Sequence, residues 1–223
     1  FGIRDSVIDI PDLQFTKVFT YESSISLANT EGLQNLKEYM DANENIENYV
    51  ETYMATGSLK KDDSKSYDVT MFIPDDNESF DTVCNLVNIS NNEKINLGNN
   101  GVVITDKVAE FLNVKPGNEI TLIDSDDIEY KVKVDAIAEN YVSHYVYMSK
   151  EFYETNIKSY KTNMLYVNTK NAEEYSSLSE EVLKIDGVTS VTMVSTLLKS
   201  ISDMLNTMNY IVVVLIISSA LLA

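Results

Sequence analysis

The sequence predicts an α+β fold: strand–helix–strand units around an inserted small β-rich lobe, with a C-terminal stalk helix running into a transmembrane segment. Three observations predict it. Runs of alternating hydrophobicity are interleaved with runs of helical period, the two patterns a buried strand face and a buried helix face impose. The stretch 163–194 reads strand–helix–strand and echoes 15–56, with short strands and turn signals between them. The segment 210–223 (YIVVVLIISSALLA) carries no charge.

The elements follow in order. Residues 1–10 (FGIRDSVIDI) predict a short helix stopped by Pro11. Residues 15–27 alternate and predict a strand or hairpin. The run 30–40 predicts a helix capped by Thr30, with Leu33, Leu36, Lys37 and Met40 on one side. Strands are expected at 49–56 and 67–73, joined by the polar turn 57–66 (GSLKKDDSKS). A short helix is expected at 78–84, then an Asn-rich loop at 88–100. A strand at 102–104 leads into a helix capped by Thr105 or Asp106 and ending near Leu112. Lys115-Pro116-Gly117-Asn118 is a turn, and 119–123 and 128–134 flank a second turn, Asp124-Ser125-Asp126-Asp127, as a hairpin. A strand at 145–148 is followed by a helix that Ser149 caps and that ends near Ile157. A strand at 163–168, a helix at 172–185 and a strand at 188–194 complete the folded part.

The C-terminal segment reads differently. Leu197, Leu198, Ile201, Met204, Leu205 and Met208 follow helical spacing, Ser195 can cap that helix, and no Pro or Gly interrupts 195–223. The apolar run at its end is shorter than the roughly 20 residues that span a bilayer. Its apolar residues occupy every face rather than one stripe, which favours a membrane helix continuing past Ala223 over a buried core helix. With no initiator Met at Phe1, the expectation is a domain taken from a longer chain. The division expected is a membrane-proximal lead-in at 1–12, an α+β subdomain from 13–72 and 151–194, an inserted lobe at 73–150, and a stalk at 195–223.

Composition excludes several functions. The 223 residues carry 35 Asp and Glu against 17 Lys and Arg, a net charge of −18. Nucleic acid and anionic lipid headgroups both call for clustered Lys and Arg, which this chain lacks. One Cys and one His leave no internal disulfide, no thiolate cage and no multi-His metal site.

The segment GVVITDKVAEFLNVKPGNEITLID, 101–124, resembles the extracytoplasmic segment of FtsX-like and MacB-like ABC transporter permeases, where a strand, a helix and an "xVKxGDxI" turn open a small β-rich lobe. The turn here is Val114-Lys115-Pro116-Gly117-Asn118-Glu119-Ile120. The continuation VKVDAIAENYVSHYVYMSKEFYE, 132–154, resembles the same family, and FGIRDSVIDI and NTMNYIVVVLIISSALLA are similar to the segments beside the membrane helices of long Gram-positive members. Residues 31–92 carry no such motif. The resemblance implies a porter-like subdomain, an inserted sabre-like lobe, and an extracytoplasmic domain held at the cell membrane. It implies a permease that couples ATP hydrolysis by a separate cytoplasmic ATP-binding subunit to work or export outside the membrane. Its clients are expected to be an extracytoplasmic protein, a peptide or a lipid-linked molecule.

Enzyme signals are poor: there is no Gly-rich phosphate loop and no GxSxG elbow. No catalytic, cofactor-binding or metal-ligating residue is therefore assigned. His144 is read as structural or surface rather than a general base. Asp124, Asp126 and Asp127 lack the Gly and the bidentate Glu of a calcium loop and are read as a solvated turn. Cys84, among Val83, Leu86 and Val87, is read as a small buried hydrophobe. Tyr141, His144, Tyr145 and Tyr147 form the candidate partner interface, since in an extended segment the three tyrosines share one face. The bland reading is that these rings cover a sheet face. An alternative function is a membrane-anchored binding or sensor ectodomain for cationic peptides, which the acidic surface would attract.

Overall fold

Strand β2, Ile46–Lys60, joins the two parts of one nine-stranded sheet. The computed structural model describes residues 10–62, 64–171 and 175–222. The first part of β2 pairs antiparallel with β8 (Met164–Thr169), from Ile46 opposite Thr169 to Thr52 opposite Met164. Its second part pairs antiparallel with β3 (Tyr67–Pro74), from Thr52 opposite Pro74 to Leu59 opposite Tyr67.

Around the first part lies a four-stranded antiparallel sheet. β8 also pairs with β1 (Ser23–Leu27), and β1 pairs with β9 (Val188–Met193), giving the order β9-β1-β8-β2. Helix α1 (Thr30–Ala42) links β1 to β2, and helix α5 (Tyr175–Val182) links β8 to β9. This is the split β-α-β arrangement of ferredoxin-like folds, opened between its second and third strands. Alternate strand residues Ile25, Leu165 and Val167 meet Leu36 and Met40 of α1 and Val182 of α5 in one core.

Around the second part the pairings close a ring. They run β2–β3, β3–β7 (Tyr145–Tyr147), β7–β4 (Val102–Thr105), β4–β6 (Glu129–Ala138), β6–β5 (Glu119–Ile123) and β5–β2. β3–β7 and β4–β6 are parallel, the rest antiparallel. Leu59, Met71, Ile104, Leu122 and Val134 fill a second core with side chains from α3 (Asp106–Leu112) and α4 (Lys150–Asn156). A single helical turn, α2 (Asn77–Phe80), and the loop after it cover a third core that joins the two parts through Phe72, Phe80, Tyr147 and Tyr166. The α+β class, the paired strand–helix–strand units and the β-rich middle lobe are all present.

Several local expectations change. Gln14–Val18 is a π-helical turn, not the start of a strand, closed by the Phe19 N–H donating to the Gln14 carbonyl at 2.8 Å. This turns Gln14 and Val18 inward together. Pro11 lies within a helical stretch, residues 10–13, which its fixed φ suits; residues 1–9 of that expected helix lie outside the described residues. The polar segment after Thr56 continues as strand to Lys60, because Ser58 and Leu59 find partners on both β3 and β5, and Lys60 finds one on β5. The cap of α1 is Asn29, whose Oδ1 accepts the Gly32 N–H at 2.8 Å, and Thr30 is inside the helix. The helix expected at 172–185 is described as Tyr175–Val182; 172–174 lie outside the described residues.

Helix α6, Val194–Leu222, is one helix of 29 residues, about 44 Å long at the usual rise. Ser195 is in its first turn, not before it. Among the described residues, no helix is long and apolar enough to cross a membrane.

Candidate functional site

A cleft of about 660 Å³ opens where the helix-free face of the four-stranded sheet meets the outside of the ring. Strand alternation explains its floor. On β1, Ile25 and Leu27 point to the helices, so Ser24 and Ser26 point the other way. On β8, Leu165 and Val167 face the helices while Met164 and Tyr166 face the cleft. The ring contributes Phe72 from β3 and Tyr145 from β7, and the π-helical turn and the residue that closes it add Phe15 and Phe19.

The rings form one connected cluster. Tyr21 lies 4.5 Å from Tyr166, centroid to centroid, and 5.6 Å from Phe19. Phe19 meets Phe72 at 5.6 Å and Tyr145 at 5.4 Å. Such edge and tilted contacts are each worth on the order of 1 kcal/mol beyond burial. Burial pushes the phenols of Tyr21, Tyr145 and Tyr166 up, so all three stay protonated in ordinary conditions. The cleft therefore offers ring faces and neutral hydroxyls.

A second cavity of about 450 Å³ adjoins the first and shares Thr56, Thr70, Ser125 and Ser143 with it. Asp68, Asp124, Asp127 and His144 line it. Asp124 has a structural task. Its carboxylate accepts the Lys158 ammonium at 2.6 Å and the backbone N–H groups of Asp126 and Ile128 at 2.9 and 3.0 Å. Burial alone would raise its pKa, but Lys158 and the two backbone donors outweigh burial and hold it below the usual carboxylate range. The turn read as solvated thus buries one carboxylate and leaves Asp126 and Asp127 exposed. Asp68 and Asp127 have no ion pair among the described residues.

The four residues expected at a partner interface separate. Tyr147 is only 1% exposed and packs on Phe72 and Phe80, so it belongs to the core. Tyr145 shares its face and lines the cleft. Tyr141 does not join them, because Ser143 adopts φ 65°, a left-handed bend that breaks the extended segment. Instead the Tyr141 hydroxyl donates to Glu139 at 2.8 Å, and its backbone N–H donates to Gln14 Oε1 at 3.0 Å. His144 stands edge-on to Phe111 at 5.5 Å and lines the acidic cavity. Cys84 is buried, and burial pushes its thiol up, which makes it an inert hydrophobe. Among the described residues no three His, Cys, Asp or Glu side chains group as a metal site. Phe15, Phe19, Tyr21, Tyr166 and Asp68 were not singled out by the sequence; the spacing of the first three reads equally well as strand alternation.

No family model matches the chain, and no curated protein is significantly similar to it. Solved structures that resemble it along most of its length include the following two. The periplasmic region of MacB from Actinobacillus actinomycetemcomitans superposes with a TM-score of 0.51 at 14% identity, covering 84% of this chain and 95% of that one. The extracellular domain of the noncanonic ABC-type transporter YknZ from Gram-positive bacteria gives 0.51 at 13% identity, covering 78% and 99%. With the split β-α-β sheet and the inserted ring in view, the chain has the fold shared by these two extracytoplasmic domains.

Proposed function

We propose that the chain is the extracytoplasmic domain of an ABC transporter permease. It couples ATP hydrolysis by a separate cytoplasmic ATPase to work or export outside the cell membrane. In this reading 13–72 and 151–194 form a membrane-proximal, porter-like part, 73–150 a sabre-like lobe, and 195–223 the stalk and the start of a membrane helix. Its partners are the ATPase, reached through the rest of the permease, the membrane itself, and a protein, peptide or lipid-linked client. No catalytic step is assigned to it.

The observation that carries this reading is α6. It is one uninterrupted helix, and its root is stitched into the sheet: the Val194 N–H donates to the Glu22 carbonyl at 2.9 Å. Phe15, Tyr21, Met193 and Leu198 line a cavity at that joint. A stiff rod joined to a sheet transmits displacement that a flexible linker would absorb. The fold of the two ABC transporter domains agrees with this use.

The test is Ser202→Pro in the full-length permease with its ATPase. Proline removes the N–H that bonds residue 198 and kinks the helix at about 3 kcal/mol or more. The expected result is a folded, membrane-inserted protein with ATP hydrolysis retained and cellular function lost, while Leu197→Met is mild. Function retained despite a structurally verified kink makes α6 a tether and turns the assignment to a sensor ectodomain. The aromatic cleft beside the acidic cavity is the observation that favours that second reading.

A further inference from the structure

The two adjoining cavities differ in chemistry in a complementary way. The larger is walled by aromatic rings, and the smaller by carboxylates. Among the described residues, neither is lined by any Lys or Arg. An anion would find no Lys or Arg partner among them. A neutral apolar ligand would use the rings and leave the carboxylates in water. A cation attached to a bulky apolar group satisfies both, and ring faces themselves attract cations. Asp124 is already neutralised by Lys158, so the carboxylates open to a ligand are Asp68 and Asp127. Ser24, Ser26 and Thr192 set hydroxyls along the floor, which suit the amides of a peptide. The net charge of −18 steers such a ligand toward the domain.

We propose that this cleft binds a cationic amphipathic peptide, with a bulky apolar side chain against Phe15, Tyr21 and Tyr145 and a neighbouring Lys or Arg against Asp68 and Asp127. The site names the client of the domain and rests on the reading above for its setting outside the membrane.

The chain contains no Trp, so the fluorescence of a Trp-containing peptide reports binding without background from the protein. The probe is a six-residue peptide of alternating Lys and Trp, and its counterpart has Gln in place of each Lys. The 223-residue chain is expected to shift the Lys–Trp emission to the blue in a saturable way that salt weakens. The double variant Asp68→Asn/Asp127→Asn is expected to bind roughly tenfold more weakly, as is the Gln peptide. Both positions are exposed, and Asn tolerates the left-handed backbone of Asp127, so circular dichroism should be unchanged. Phe15→Ser, at a half-buried ring, should weaken both peptides. Equal binding of the two peptides, wild-type binding by the double Asn variant, or no saturable binding overturns the proposal. These outcomes involve no ATPase, so they are separate from the Ser202→Pro test: that variant can retain function, and so sink the permease reading, while peptide binding is intact.

Discussion

Gly32 and Gly187 touch backbone to backbone. A Cβ on Gly32 would lie 2.7 Å from the Gly187 Cα, and one on Gly187 would lie 2.4 Å from the Gly32 Cα. This contact seats the first turn of α1 against the turn that enters β9, where the Ala28 N–H also donates to the Gly187 carbonyl at 2.8 Å. Gly187 needs its own freedom as well, with φ 90°.

Gly32→Ala is therefore expected to destabilise the domain by about 1–3 kcal/mol, the range for overpacking a close contact. Urea unfolding at constant slope reads it as a lower midpoint. An unchanged midpoint would show that the two turns slide apart freely.

Thr52 sits where β2 exchanges β8 for β3, fully buried, with a side-chain hydroxyl that has no hydrogen-bond partner among the described residues. Removing an unsatisfied buried hydroxyl while keeping the β-branched shape should be neutral to stabilising, up to about 1 kcal/mol. Thr52→Val tests this by thermal unfolding. A drop of several degrees would mean that the hydroxyl has a partner, such as a buried water.

Lys158→Met should cost about 2 kcal/mol near neutral pH, since it strips the buried Asp124 carboxylate of its charged partner and leaves two backbone donors and the Tyr130 hydroxyl, a weak donor at 3.4 Å. The carboxyl of Asp124 is lowered on folding and the ammonium of Lys158 is raised. The pair's contribution is thus fully present between the ordinary carboxylate and lysine ranges, about pH 4 to 10. It fades as pH falls through the lowered Asp124 value. The gap between variant and wild type should accordingly close in acid. A gap independent of pH would assign the loss to packing instead.

His144→Ala should leave the cellular activity of the full permease within a few-fold of wild type, because the imidazole packs on Phe111 and its Nδ1 has no hydrogen-bond partner among the described residues. A loss of about a hundredfold, the scale of a removed general base, would reveal proton transfer at this position.

Much of the scaffold is readable from local signals. The Lys115–Asn118 turn, the hairpin around Asp124 and the Ser149 cap, whose Oγ accepts the Phe152 N–H, each follow from residues close in sequence. The cleft is not readable in this way. Phe15, Phe72, Tyr145 and Tyr166 come from four separate elements, and only the topology brings their rings together. The π-helical turn at Gln14 is hidden for a related reason: what holds Gln14 inward is its side chain accepting the N–H groups of Tyr141 and Val142, far along the chain. Tyr147 misleads because period-two spacing gives a face but not whether that face looks out or in.

The double membership of β2 also sets an order of assembly. During synthesis, β2 to β7 can close their ring before Met164 has left the ribosome, whereas the amino-terminal half of β2 waits for β8 and β1 waits for both β8 and β9. The two ends of one strand should therefore gain protection at different times. Pulse-labelled hydrogen exchange during refolding should find the amides of residues 55–59 protected ahead of those of residues 48–51. The nascent chain would then carry a finished lobe alongside an unpaired, pairing-competent strand, the stage at which it is most exposed to aggregation and to capture by a chaperone.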